Sequence, residues 1–222
     1  MNKKLFSLIL CSVILLTACG NKEPKGYLSI PTAEPIPTAQ NTEVSETDIS
    51  QAPIALLPVE ETSLAINKNA PSYTPGVLTD TGYESKWLGI RFTAPEGTVL
   101  SSADAAGCEM ICQDETQGCN VMVLTENLPS DFQSVDTYVA QFAKEIASAS
   151  EPSYKLLSDD EEVQIGSNTF RSVSFSASYG GADLYQTYFM YFTNDKISSI
   201  VITYTDDSIE SAGALISGFE PY

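Results

Sequence analysis

The chain has 222 residues, with 11 Lys and Arg against 29 Asp and Glu and a formal net charge of −18. It contains no histidine, which removes Ser-His-Asp and Cys-His nucleophile pairs and every His-based zinc site. A charge of this sign also repels nucleic acid and anionic lipid surfaces, so no nucleic-acid partner is expected.

Lys3 and Lys4 form a cationic head, and Leu5 to Leu16 is an apolar run. Twelve helical residues reach only about 18 Å, short of the roughly 30 Å hydrocarbon core of a bilayer. The run therefore reads as a secretory signal and not as a spanning helix. It ends on Leu16-Thr17-Ala18-Cys19, a branched apolar residue, two small residues and a cysteine. This resembles the lipobox of bacterial lipoproteins. The resemblance implies that residues 1–18 are removed and that Cys19 is lipidated. The acyl chains, palmitate among them, would hold the protein to the extracytoplasmic face of the cell membrane. More than one acyl chain gives stable anchoring where a single chain binds only reversibly. Ordinary cleavage, with Cys19 incidental, is the alternative.

From residue 19 to residue 80 the chain is rich in Pro, Thr, Ser and Glu and holds eight of the twelve prolines. Without apolar periodicity such a stretch cannot offset its chain entropy, so a disordered or extended tether is expected. A coil of about sixty residues spans roughly 40 Å. Ile54-Ala55-Leu56-Leu57 and Ser63-Leu64-Ala65-Ile66 are apolar enough to dock on the domain that follows.

Residues 81–222 are long enough for one well-buried core. They carry six Lys and Arg against twenty-one Asp and Glu. Trp87 to Phe92 reads as a short strand stopped by Ala94-Pro95-Glu96-Gly97. CEMICQ and NVMVL read as strands around the turn from Asp114 to Gly118. Ser134 caps a helix with Val135, Tyr138, Val139, Phe142 and Ile146 on one face. Gly166-Ser167, Gly180-Gly181 and Asn194-Asp195 then separate strand-like runs, predicting a four-stranded antiparallel meander from Tyr154 to Thr205. Its third and fourth strands are apolar on both faces, so layers must cover both. Those layers are the 134–150 helix and a final helix capped by Asp207, with Ile209, Ala212, Leu215, Ile216 and Phe219 inward.

The fold class is thus α+β, an antiparallel sheet covered by helices. Trp87-x-Gly89-Ile90-x-Phe92-x-x-Pro95-x-Gly97 resembles the opening hairpin of the PsbP-like domains. Small clostridial-type lipoproteins are similar over 81–222. The resemblance implies an α/β/α sandwich and a non-catalytic accessory role, and it carries over no metal or cofactor site.

Ser158-Asp159-Asp160-Glu161-Glu162 is the sharpest acidic run. Consecutive acids entering a strand alternate between faces and do not converge on calcium, so a solvated hairpin tip is expected. Cys112 and Cys119 flank a turn. A loop of two or four residues puts them on one face and a three-residue loop points them apart. A disulfide between them and buried free thiols, together with Cys108, both remain open. The expected function is a non-catalytic binding or accessory domain with no cofactor and with a protein or cell-envelope partner. That partner is sought at the Trp87–Gly97 and Asp114–Gly118 turns. A surface hydrolase using carboxylates or a Ser–Lys pair, and a small-solute receptor, are the alternatives.

Overall fold

Alternating apolar residues build the main sheet; the Gly166-Ser167 turn is seen within it, while Gly180-Gly181 and Asn194 lie outside the described residues. The computed structural model describes residues 72–103, 107–149, 152–179, 182–193 and 195–222. Cys19 and most of the expected tether lie outside these residues. β7 (Tyr154–Ile165), β8 (Asn168–Tyr179), β9 (Ala182–Phe192) and β10 (Lys196–Thr205) form the expected meander, each antiparallel to the next. β10 continues onto β6 (Cys119–Asn127), then β5 (Cys108–Asp114) and β4 (Val99–Ala103), giving a seven-stranded sheet in the order β4-β5-β6-β10-β9-β8-β7.

Both faces of this sheet are core. Tyr185, Phe189 and Tyr191 of β9 pack on one side with Ile200, Ile202 and Tyr204 of β10. Tyr188, Met190 and Phe192 pack on the other with Ile197 and Val201. Helix α1 (Val135–Ala147) covers the second face with Val139, Phe142, Ala143 and Ile146. Its cap is Ser134, whose side chain accepts from the Thr137 amide at 3.1 Å. The Phe142 ring meets Tyr188 edge-on at 5.0 Å.

The first face is covered differently from the expectation of a helix alone. A second sheet, in the order β1-β2-β3-β11, lies over it beside α2 (Ile209–Ser217). Its strands are β1 (Val77–Thr79), β2 (Gly82–Ser85), β3 (Ile90–Thr93) and β11 (Phe219–Pro221). Tyr83, Leu88, Ile90 and Phe92 from this layer are buried against Val121, Val123, Phe170 and Ile200 of the large sheet. Four strands of three or four residues bury few side chains each, and their periodicity is too short to read.

Several boundaries shift. Paired backbone begins at Val77, before the expected limit at residue 81. Trp87 to Gly89 form the turn between β2 and β3, with Gly89 at φ 61°, so the strand starts only at Ile90. The last helix begins after a 3-10 turn, Asp206–Ser208, and Asp207 is not its cap. The Thr205 amide donates to Ser208 Oγ at 2.8 Å, which tightens the turn and moves the helix start to Ile209. Phe219 leaves the helix for β11 and sets its ring 4.7 Å from that of Phe92.

Candidate functional site

Three places concentrate chemically distinctive groups, and local structure decides what each can do. At the first, a bulge in β5 brings Glu109 into play. Cys108 pairs with Leu124 and Met110 with Val123, so Glu109 is the extra residue. A bulge re-aims a side chain, and here the carboxylate turns toward the small sheet. Glu109 Oε1 accepts from the Tyr73 hydroxyl at 2.9 Å. Oε2 accepts from the Gly76 amide at 2.6 Å and the Tyr83 hydroxyl at 2.7 Å. Charge-assisted bonds of this kind are about twice as strong as neutral ones. Burial and the adjacent carboxylate push the Tyr73 phenol up to about 12 and Tyr83 higher, so both remain donors.

Around this clasp the Tyr73 ring stands edge-on to Trp87 at 5.0 Å, and Lys196 Nζ lies 4.8 Å from its centroid. Lys196 also donates to Asn127 Oδ1 at 2.6 Å. Gly76 is required for close approach: a Cβ there would sit 2.2 Å from the Tyr83 ring. Residues 73–76, assigned by proline content to the tether, are thus fastened to β5.

At the second place Arg171 of β8 reaches two carboxylates. Its Nη1 donates to Asp136 in the first turn of α1 at 2.8 Å, and Nη2 pairs with Asp160. Burial works against the guanidinium's charge, but these two partners outweigh it and raise its pKa. Asp160 belongs to the acidic run. That run is not a hairpin tip: it lies within β7, where pairing with β8 shifts register between Leu156 and Ser158 and again between Ser158 and Glu161. Asp160 takes φ 61°, a left-handed conformation that aspartate tolerates better than most residues. The bulges absorb the irregularity, and Arg171 on the neighbouring strand answers the charge. The sequence held both partners, but their pairing depends on those register shifts.

The third place is the β5–β6 hairpin. Its loop has four residues, Glu115 to Gly118, and Asp114 pairs with Cys119 while Cys112 pairs with Val121. Cys112 and Cys119 are therefore diagonal neighbours on one face, both in the core. All three described cysteines are free and buried. Burial pushes the Cys108 thiol up to about 11 and Cys119 up to about 12, and Cys112 is raised also. Thiols so protonated are poor nucleophiles. Asp114 Oδ1 accepts from the Thr116 and Gln117 amides, each at 3.0 Å, which braces the turn.

The two turns singled out for a partner fare unequally. Trp87 is buried between Tyr73 and Tyr191, so its indole serves the core. Glu115, Thr116 and Gln117 are exposed. Among the described residues, no group of three or more His, Cys, Asp or Glu is placed to hold a metal ion. No helix among them is long and apolar enough to cross a membrane.

The fold is that of an α+β protein, with two antiparallel sheets and two α-helices among the described residues. No family model matches the chain, and no curated protein matches it. Solved structures do resemble it. The cyanobacterial PsbP protein (CyanoP) of Synechocystis sp. PCC 6803 is 16% identical, covers 64% of this chain and 92% of its own, with a TM-score of 0.45. LpqN, involved in cell envelope biogenesis of Mycobacterium tuberculosis, is 14% identical over 59% of this chain and 82% of its own, with a TM-score of 0.44. A Bacteroides thetaiotaomicron VPI-5482 protein is 13% identical over 65% of this chain and 49% of its own, with a TM-score of 0.41.

Proposed function

We propose that this is an extracytoplasmic accessory domain, lipid-anchored through Cys19, that binds a protein or cell-envelope partner and does not catalyse. The observation that carries the reading is the Glu109 clasp. It fastens residues 73–76 to a central layer of the fold, so a pull on the preceding arm is borne by the sheet and not by a fraying end. Such an attachment suits a domain held by the segment that precedes it. Two further groups also serve structure: Arg171 braces β7 and α1, and the three described thiols are buried.

The experiment is a comparison of wild type with Cys19→Ala in membrane fractionation, alongside a turnover screen on peptidoglycan fragments, esters and peptides. Release of the variant, or arrested processing, supports anchoring, whereas wild-type fractionation defeats it. Turnover lost on substituting one Ser, Lys, Asp or Glu of residues 81–222 defeats the non-catalytic reading.

A further inference from the structure

The four edge strands of the two sheets are unequally protected. β7 carries Asp159, Asp160, Glu161 and Glu162, is bulged twice, and packs beside α1. Charges and bulges of this sort blunt an edge against pairing. β11 has three residues and ends on Pro221, which has no amide to donate. β1 has three residues and follows directly on the clasp. β4, Val-Leu-Ser-Ser-Ala, has no charge and no proline.

Among the described residues β4 pairs only with β5, and its register is regular from Val99 to Ser101. Ser101, Ser102 and Ala103 are exposed, and Val99 is 49% exposed, one of three large apolar residues so open among those described. A strand's outer side presents alternating amides and carbonyls that can pair with another extended chain. The surroundings select the charge of that chain. Between Thr93 and Asn127 the sequence has no Lys or Arg. Of the described acids there, Glu96 and Glu115 are exposed and Asp114 is half-buried, while Glu109 is held in the clasp. Val99 pairs with Gln113, next to Asp114 and Glu115, so this charge stands at the entrance to β4.

We propose that β4 is the docking strand for an extended cationic peptide segment, which adds to the seven-stranded sheet as an eighth strand. Main-chain pairing to Val99–Ser102 supplies the contact, and Lys or Arg at alternate positions meets Glu96 in the turn before β4 and Asp114 and Glu115 at the β5–β6 turn. This rests on the binding-domain reading, but it does not depend on anchoring through Cys19. Failure of the fractionation test therefore leaves it standing, and its own failure leaves the anchor standing.

The test uses the full chain and three synthetic peptides: KVKTKVK, its acidic counterpart EVETEVE, and KPKPKPK, equally cationic but unable to form a ladder. Support consists of saturable binding of KVKTKVK, at least about tenfold tighter than either other peptide, weakening as salt rises. Amide hydrogen exchange should slow on binding at those amides of Val99–Ser102 that point away from β5. The double variant Val99→Lys, Ser101→Lys keeps its side chains outward and should lose the interaction without changing its thermal midpoint. Four results overturn the proposal: no binding of KVKTKVK, equal binding of KPKPKPK or EVETEVE, protection that falls elsewhere, or an unaffected double variant. A fifth is protection, without peptide, of the β4 amides that point away from β5. Sedimentation then tells whether a second copy or the chain's own preceding segment occupies the edge.

Discussion

On the β4–β5 flank of the large sheet the charge near the core is a carboxylate, Glu109, held by neutral donors. On the β7–β8 flank it is a guanidinium, Arg171, held by two carboxylates. The first arrangement fastens an incoming segment and leaves the outer edge uncharged. The second fastens a helix and surrounds the outer edge with acid. The difference teaches that the protein guards one edge of its sheet and not the other, and that the guard is tied to the buried Arg171.

The largest effect is expected on the guarded side. Arg171→Ala removes the partner of both Asp136 and Asp160. Losing one member of a buried pair costs roughly 3–5 kcal/mol. Here the two carboxylates are 54% and 36% exposed and can rehydrate. A loss of about 2 kcal/mol in urea unfolding is therefore expected, discounted for that screening. A loss under about 0.5 kcal/mol would mean that the bulged acids brace nothing.

Glu109→Gln acts next, on the open side. An amide presents one accepting oxygen, yet the three donors use both carboxylate oxygens. At least one of the three part-buried donors loses its acceptor, costing about 1–2 kcal/mol. Proteolysis near residues 72–76 should accelerate, and unchanged cleavage there would show that the clasp does not hold the arm.

A weaker effect follows from acid. Partial burial of Asp114 opposes its charge, but hydrogen bonds from Thr116 and Gln117 prevail and hold its carboxyl below the ordinary 3.8. A carboxyl depressed on folding adds stability above its unfolded value, and that contribution is lost as pH falls through the folded one. Asp114→Asn should therefore remove a small stability increment at neutral pH and none at the lowest pH that keeps the fold. The same deficit at both would assign the turn's support to shape and not to charge. Smallest of all is Val99→Lys, expected to change stability by no more than about 0.5 kcal/mol because the side chain is already in water. A larger loss would show that β4 is buried by something and is not the open member of the comparison.

How much of this was legible follows the length of each element. The meander could be read because Tyr185 to Phe192 and Ile197 to Tyr204 alternate over many residues and Gly166-Ser167 marks a turn. β1, β2, β4 and β11, at three to five residues, carry too few positions for a period to stand out. Glu109 was hidden because its role depends on an extra residue in β5, which inverts the side expected from simple alternation. Trp87 looked like a surface landmark and is interior, since the turn at Gly89 folds the indole under Tyr73.

The pairing of β3 with β11 also sets an order of events in time. Phe92 lies opposite Phe219 and Ile90 opposite Pro221, with every strand of the large sheet between them in the chain. Neighbouring hairpins such as β7–β8 and β9–β10 can close as soon as they leave the ribosome or a translocation channel, whereas β3 must wait for the far end to arrive. Long-range closures of this kind slow folding. A chain that lacked β11 would leave β3 with one edge bare and Phe92 without the ring of Phe219, so the smaller sheet can shut only after β11 has been made.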